Sequence, residues 1–350
     1  MKRAVTVLIA LCLLLSLAVY GCGKRPGSAG IVNVYNWGEY MSNDIIRSFQ
    51  KETGIKVNYL EYQNNEEMYA LLRMGSADID LIIPSDYMVA RLISEDRLEE
   101  LDFSNIPNYA LIDSKYKNLE YDPMGKYSVA YMTGTVGLIY NAALISDKIT
   151  SWEALFSERY AGDMLMFDNP RDAFGIALKY LGYSQNTTSE AEIRAAFDLL
   201  VKQKPALQAY VMDKIFDKLE SGEAAIGPYY AGDYLLMREN NEDLVFVRPV
   251  EGSNFYVDAM CIPKGATNKQ NAEIFINYIC RTDVALENMD FVFYASANTE
   301  AAMQFAEDFD PVDFEIFIAS EETLANCEVF TNLPPDILAL YDQLWVELKR

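Results

Sequence analysis

Short apolar segments alternate with amphipathic ones along most of the chain, and this alternation predicts strands and helices in turn. Residues 31–36 and 56–62 have the pattern of strands, and residues 43–53 between them have one apolar face, as a helix does. Residues 81–83 are wholly apolar, which is typical of a buried parallel strand, and we expect a loop at residues 85–87. The pattern as a whole predicts an α/β protein.

Two apolar segments in the middle of the chain, residues 127–133 and 136–141, are separated only by a glycine and a threonine. We interpret this point as the first crossing between two lobes, and residues 252–254 as the return crossing. The strand 255–263 and the helix 270–280 then belong to the first lobe again. Two lobes also suit a chain of this length, because a single hydrophobic core rarely grows so large.

The second lobe is predicted to hold helices and short strands between the two crossings. We expect helices at residues 152–156, 172–181, 190–202 and 214–220, and strands at residues 164–167, 224–227 and 244–247. The predicted division assigns residues 31–133 and 255–304 to lobe 1, and residues 134–254 and 305–350 to lobe 2. A C-terminal helix at residues 336–349 is expected to pack on lobe 2.

The N-terminal residues 1–21 are predicted to be a signal peptide and not part of the fold. Two basic residues precede an uncharged apolar run at residues 4–19, which is too short for a spanning helix and ends near Cys22. Residues 19–22 resemble a bacterial lipobox, which implies lipidation of Cys22 and a location in the periplasm or at the outer face of the cell membrane. An ordinary secretory signal with an incidental cysteine is the alternative. Residues 22–30 are predicted to be a flexible tether.

Charge and composition narrow the classes of function. With 52 acidic and 29 basic residues, the net charge is −23 at pH 7. Such a surface repels nucleic acid and attracts cations, although solubility alone accounts for most of these charges. The chain has no histidine, so neither a histidine-based hydrolase nor a zinc enzyme is expected. Three cysteines lie beyond Cys22, namely Cys261, Cys280 and Cys327, and their odd number favours free thiols over a disulfide framework.

Several short motifs follow one another in order along the chain. They are YNWGEY at residues 35–40, FQKETGIKV at 49–57, DLIIPSDY at 80–87, LGYS at 181–184 with NTT at 186–188, and VDAMCIP at 257–263. Each motif is weak alone, but together they resemble the spermidine/putrescine-binding proteins of bacterial polyamine ABC importers. The resemblance runs from about residue 32 to the end of the chain.

The resemblance implies a two-lobed type II periplasmic-binding-protein fold with hinge crossings and a ligand cleft between the lobes. It implies a monomer, not an enzyme, that needs no cofactor and binds no nucleic acid. This monomer would capture a polyamine and deliver it to an ABC permease driven by a cytoplasmic ATPase. A polyamine is a string of ammonium groups separated by methylenes, so its site needs carboxylates and aromatic faces.

The first implied contacts follow two predicted strands. By resemblance, Trp37 and Tyr40 line the cleft and Glu39 pairs with an ammonium group. Ser85 and Tyr87 are implied to contact the ligand as well. The role of the residue between them is left open, because Pro-Ser-Asp is also a common helix start.

Residues 168–172 have both a structural and a functional interpretation. Asp168 or Asn169 has the chemistry of a helix cap, with a proline after it as the first helical residue. The resemblance instead implies two acidic residues that face the amine. Asp172 matches the second of them, whereas the first aligns with Asn169 and leaves Asp168 one place early.

The remaining implied contacts lie in the second half of the chain. Tyr230 matches a tryptophan that stacks on the ligand, with Tyr229 as the alternative. Asp233 matches an acidic residue of putrescine-type relatives, although a helix cap is an equal interpretation. Tyr256 and Asp258 lie two apart on a predicted strand and therefore on the same side of it, and the resemblance implies stacking for the first and ammonium pairing for the second.

One further tyrosine and one unaligned position complete the predicted site. Tyr294 matches a cleft tyrosine, while a polar contact near Phe330 or Thr331 is left open. Two rival functions also remain at this stage. One is a protein of the same fold for a sugar, an amino acid or a ferric ion, and the other, less favoured, is a glycosidase that uses paired carboxylates.

Overall fold

The computed structural model describes residues 30–75 and 78–350. The predicted signal peptide, Cys22 and the tether up to residue 29 lie outside the described residues. Within the described part of the chain, no helix is long and apolar enough to cross a membrane.

Strands and helices alternate along the described chain, as the hydrophobic pattern predicts. The strands are β1 (Ile31–Trp37), β2 (Lys56–Tyr62), β3 (Leu81–Ile82), β4 (Ser128–Asn141), β5 (Met164–Phe167), β6 (Leu207–Val211), β7 (Ile226–Tyr230), β8 (Leu244–Val247), β9 (Ser253–Cys261), β10 (Ala295–Ser296) and β11 (Cys327–Glu328). The helices are α1 (Asn43–Thr53), α2 (Asn65–Met74), α3 (Asp86–Ser94), α4 (Pro170–Tyr180), α5 (Glu190–Gln203), α6 (Ile215–Glu220), α7 (Ala231–Asn240), α8 (Lys269–Ile279), α9 (Thr282–Val292), α10 (Thr299–Phe305), α11 (Pro311–Phe317), α12 (Glu321–Leu324) and α13 (Pro335–Lys349). The segment predicted as a helix at residues 152–156 is a short 3₁₀ helix, Trp152–Phe156.

Hydrogen-bonded strands connect the whole molecule in the order β2-β1-β3-β9-β4-β7-β5-β6. β1 pairs in parallel with β2 and β3, and β5 pairs in parallel with β6 and β7. Between these two parallel groups run the long strands β4 and β9, which are antiparallel to each other and to their neighbours β3 and β7. Parallel strands need crossover connections, which the helices supply.

Strand β4 crosses from one parallel group to the other without a break. Its first half pairs with β9, and its second half, from Val136 onward, pairs with β7 and β8. The two apolar segments predicted from the sequence are therefore two halves of one strand. Gly134 and Thr135 do not interrupt it, because both remain paired with β9, opposite Tyr256 and Phe255.

The loop predicted at residues 85–87 is wrong, because α3 already begins at Asp86. Ser85 is the extended residue that precedes the helix. The Asp86 carboxylate is buried and accepts hydrogen bonds from the backbone amides of Tyr87 at 2.7 Å and Val257 at 3.1 Å. This carboxylate therefore joins the start of α3 to β9 and is not part of a cavity wall.

Several elements have no counterpart among the sequence predictions, among them β6 and α7. β6 is only half-buried over most of its length, so its residues lack a clear apolar run. α7 follows β7 directly, with Tyr230 as its N-cap and no polar loop between the two elements. The predicted free thiols are confirmed for the described cysteines, of which Cys261 and Cys280 are buried.

Candidate ligand-binding cleft

A cavity of about 750 Å³ lies where the carboxyl ends of the parallel strands meet. β1, β3, β5, β6 and β7 each end in, or lead directly into, residues that line it, and β9 adds residues from its middle. Open α/β sheets bind ligands at this edge, because the loops after the strands converge there.

The structure brings together all but one of the residues that the sequence analysis selected. Those that line the cavity are Trp37, Glu39, Tyr40, Ser85, Tyr87, Asn169, Asp172, Tyr230, Asp233, Tyr256, Asp258 and Tyr294. Their contact with a ligand stays a prediction, but their convergence is a fact of the fold.

Asp168 is the exception, and the structure removes it from the predicted site. Its carboxylate is 44% exposed and forms an ion pair with Lys349 of α13 at 2.8 Å. Asn169 next to it has an extended backbone, with φ −137° and ψ 118°. Neighbouring side chains on extended backbone point in opposite directions, so only Asn169 faces the cavity.

The cavity aspartates share one arrangement, in which each carboxylate accepts a hydrogen bond from a different tyrosine hydroxyl. The distances between hydroxyl and carboxylate oxygens are 2.7 Å for Tyr40 and Asp258, 3.2 Å for Tyr230 and Asp172, 2.5 Å for Tyr294 and Asp233, and 3.1 Å for Tyr229 and Asp213. A tyrosine hydroxyl has one proton to donate, so it orients the carboxylate and leaves its other oxygen free. Four oriented carboxylates around one cavity suit a ligand with several cationic groups.

Asp258 has the most constrained carboxylate of the four. Its side chain is only 4% exposed, and its Oδ2 accepts the Tyr40 hydroxyl. Its Oδ1 has no hydrogen bond of good geometry among the described residues, although the Ser85 hydroxyl is close enough to favour the ionised form. A buried carboxylate oxygen without a donor is costly, so this atom is placed to accept a hydrogen bond from a ligand.

Burial changes the protonation of three of these carboxylates in the empty cavity. It raises the pKa of Asp258 to about 6, that of Asp172 to about 7 and that of Asp233 to about 8. Hydrogen bonds from the partner tyrosines lower each pKa, but by less than burial raises it. The closed empty cavity thus disfavours the ionised carboxylates, and a bound cation would remove that penalty.

Aromatic rings form the walls between the carboxylates. The Trp37 ring lies 4.9 Å from the Tyr62 ring. The Tyr256 ring has its centroid 5.5 Å from that of Tyr230 and 6.4 Å from that of Tyr294. The faces of these rings offer favourable contact to methylene groups and to ammonium groups.

The start of α4 has both of the roles that the sequence left open. Asn169 is the N-cap, since its Oδ1 accepts the backbone amide of Arg171 at 3.0 Å, and it also lines the cavity. Asp172 is in the first turn, but its carboxylate faces Tyr230 and the cavity. The Arg171 guanidinium is buried 4.5 Å from the centroid of the Phe330 ring, and its charge lowers the pKa of Asp172, partly opposing burial.

Three further ambiguities of the sequence have a geometric answer. Asp233 is the third residue of α7 and not its cap. Tyr229 and Tyr230 both line the cavity, so the choice between them was unnecessary. At the unaligned position, Phe330 lines the cavity whereas Thr331 does not, and the expected polar contact there is an aromatic ring.

Sequence reasoning missed several residues of the cavity wall. Asn254 precedes Tyr256 by two positions on β9, so the same alternation that selected Tyr256 and Asp258 would have selected it. Asn65 lines the wall and donates from Nδ2 to the Tyr87 hydroxyl at 3.1 Å, but in the sequence it reads only as a possible helix cap. Asp213 was missed because β6, which leads to it, was not predicted.

Gly134 of β4 lies beneath the Tyr256 ring, and its lack of a side chain is required there. A β carbon at this position would lie 2.4 Å from the Tyr256 hydroxyl oxygen and 2.8 Å from Cζ. We expect Gly134→Ala to push the ring into the cavity and to lower the free energy of unfolding by about 1–3 kcal/mol, as overpacking does. Thermal or urea unfolding of the ligand-free protein measures this loss.

A double-mutant cycle separates this clash from other effects of the alanine. Adding Gly134→Ala to Tyr256→Ala, which removes the ring, should cost much less stability than adding it to the wild type. An equal cost in both backgrounds would show that the ring is not what excludes a side chain at residue 134.

The fold and the cleft together define an extracytoplasmic solute-binding protein. The profile of the bacterial extracellular solute-binding protein family matches residues 44–310. The chain is 34% identical over 317 residues to the spermidine/putrescine-binding periplasmic protein of Salmonella typhimurium, with 90% of each chain covered. It belongs to the family of spermidine/putrescine-binding periplasmic proteins.

Solved structures agree with this assignment. A protein of Listeria monocytogenes, described as a spermidine/putrescine ABC transporter, superimposes with a TM-score of 0.86 at 36% identity and covers 91% of this chain and 98% of its own. The TpPotD lipoprotein of Treponema pallidum superimposes with a TM-score of 0.80 at 28% identity, over 91% of this chain and 99% of its own. The predicted fold, and the prediction of a binding protein instead of an enzyme, are confirmed.

Proposed function

We propose that this protein captures a polyamine, spermidine or putrescine, outside the cytoplasm and delivers it to an ABC importer. The observation that carries the proposal is the set of four tyrosine-held carboxylates around one cavity, with Asp258 buried and its Oδ1 lacking a hydrogen bond of good geometry among the described residues. Ammonium groups satisfy such oxygens, and the aromatic walls suit the methylenes between them. The Salmonella relative is named for the same two ligands.

The two lobes are proposed to close on the ligand as a hinged trap. We place lobe 1 at residues 31–133 and 255–304, and lobe 2 at residues 134–254 and 305–350. The exchange of β4 partners after Thr135 supports this division, and so does the contact of the C-terminal helix α13 with α4 and α5. Ligand contacts from Asp258 on one lobe and Asp172 on the other would favour the closed state, because both are made only there.

The partners and the membrane attachment are part of the same proposal. The closed monomer would dock on a permease driven by a cytoplasmic ATPase. A lipid on Cys22 would hold it at the outer face of the membrane. The Treponema pallidum protein that shares its fold is described as a lipoprotein. Replacing Cys22 by serine should then release the protein from the membrane fraction, whereas an ordinary secretory signal would leave its distribution unchanged.

Isothermal titration calorimetry of the purified protein tests the ligand class. Spermidine or putrescine should bind with measurable heat and be recovered unchanged. An amino acid and maltose serve as controls for other ligands that this fold accepts, and they should give no binding heat. Binding of either control without binding of a polyamine would overturn the proposal, and chemical conversion of the polyamine would point to an enzyme.

A further inference from the structure

Asp213 is a cavity residue to which the sequence assigned no role. It lies two residues beyond the end of β6, is half-buried, and lines the cavity between Met212 and Phe216. Its Oδ1 accepts the Tyr229 hydroxyl at 3.1 Å. No lysine or arginine within residues 30–75 and 78–350 forms an ion pair with it, so its charge is not neutralised by an ion pair within the described protein.

The Asp213 side chain reaches across the cleft to the loop after β1. A β carbon at Gly38 would lie only 2.9 Å from Asp213 Oδ2. Gly38 and Asp213 follow strands of the two opposite parallel groups, so the two groups approach each other closely here. The carboxylate is held with one oxygen bound by a tyrosine and the other directed at the facing loop.

Four of the five cavity carboxylates, all but that of Glu39, fall into two pairs. Asp172 interacts electrostatically with Asp258, whose carboxylate accepts the Tyr40 hydroxyl. Asp233 interacts instead with Asp213, which repels it. The rings of Tyr230 and Tyr294, whose hydroxyls bond to Asp172 and Asp233, both lie against the ring of Tyr256.

Asp258 independently indicates that a cationic ligand enters this cavity. It is nine-tenths buried, and its Oδ1 lacks a hydrogen bond of good geometry among the described residues. A ligand ammonium at Asp258 satisfies the first pair. Asp213 and Asp233 of the second pair repel each other when both are ionised, and further positive charge relieves that repulsion.

We propose that Asp213 is a specificity-determining residue that, together with Asp233, binds the terminal ammonium group of a triamine and so favours a triamine over a diamine. This inference rests on the proposed polyamine function. A diamine brings two positive charges to the five carboxylates of the cavity, whereas a triamine brings three and leaves less negative charge uncompensated. Removing Asp213 therefore weakens the triamine more than the diamine.

Calorimetric titration of spermidine and putrescine into wild type and Asp213→Asn measures this preference. We expect the spermidine affinity to fall about tenfold, as for loss of one partner of a close charge pair, and the putrescine affinity to change by less than about threefold. Asp217→Asn is the matched control, since it makes the same change of charge on the exposed side of neighbouring α6 and should alter neither affinity.

A second variant keeps the test independent of folding defects at residue 213. Tyr229→Phe removes only the hydroxyl that orients the carboxylate, and it should lower the spermidine affinity selectively, in the same direction as Asp213→Asn. Equal losses for both ligands, or no loss for either, would overturn the assignment of Asp213. If the wild type binds neither polyamine, the proposed function itself fails, which is a different result from an unchanged ratio of the two affinities.

Discussion

Asp258→Asn is expected to weaken polyamine binding by at least about tenfold, because removing one partner of a buried charge pair costs about 2 kcal/mol or more. The carboxylate is 4% exposed, is oriented by Tyr40, and has no hydrogen bond of good geometry to its Oδ1 from any residue that the structure describes. An amide of the same shape keeps the hydrogen bond from Tyr40 but loses the charge. Titration calorimetry with spermidine and putrescine measures the loss.

The stability of the empty variant distinguishes a binding residue from a structural one. Burial raises the pKa of Asp258 to about 6, so ionisation of this group opposes folding of the closed protein at higher pH. The ligand-free Asp258→Asn protein should therefore unfold at pH 8 at the same temperature as the wild type, or a higher one. Asp290→Asn, an exposed change of equal charge on α9, should leave affinity and stability unchanged. Unaltered affinity in a folded Asp258→Asn protein would remove this residue from the site.

Polyamine affinity is expected to fall as the pH is lowered from 8 to 5, by at least about tenfold in total. Burial raises the pKa of Asp258, Asp172 and Asp233 to about 6, 7 and 8 in the empty closed cavity. Each raised carboxyl pKa means that the closed protein holds its proton more tightly than an exposed carboxylate does. Protonation therefore stabilises the ligand-free protein at low pH, and this contribution to stability is lost as the pH rises through 6 to 8. An ammonium ligand must displace the same protons when it binds.

Titrations in two buffers with different ionisation enthalpies measure the protons released on binding. We expect proton release near neutral pH, and less of it in Asp172→Asn, which lacks one titrating group. The primary ammonium groups of the ligand, like that of lysine, stay charged throughout this range, so their titration does not interfere. Constant affinity and no proton release between pH 5 and 8 would contradict this prediction. Such a result would show that the carboxylates are already ionised before the ligand binds, as in a free protein with an open cleft.

Local patterns in the sequence were sufficient for most of the secondary structure. The helix Asn43–Thr53 agrees with the prediction because it has one apolar face and a glycine follows it. The strand Lys56–Tyr62 agrees because polar and apolar residues alternate along it. β6 was not recognised because four of its five residues are half-buried and carry no clear pattern. That omission had a functional consequence, since Asp213 follows β6 directly.

The site was predictable where residues close in sequence share one face of an element. Tyr256 and Asp258 were selected by the alternation of a strand, and both line the cavity. The motif resemblance located the other residues of the cavity wall. It also selected Asp168, whose side chain points away from the cavity on the extended backbone and pairs with Lys349. The sequence contains no local signal for that ion pair, because its two partners are 181 positions apart.

The sequence by itself determined an exported, acidic α/β chain, its principal helices and strands, and the residue types of a cation site, because these depend on composition and on neighbours a few positions apart. The tertiary structure alone decided which tyrosine orients which carboxylate, since Tyr40 and Asp258 meet across 218 positions. It also decided that β4 crosses between the two strand groups as one continuous strand. The raised pKa values of Asp172, Asp233 and Asp258 follow from the same cause, because burial and tyrosine contacts exist only after distant segments have packed together.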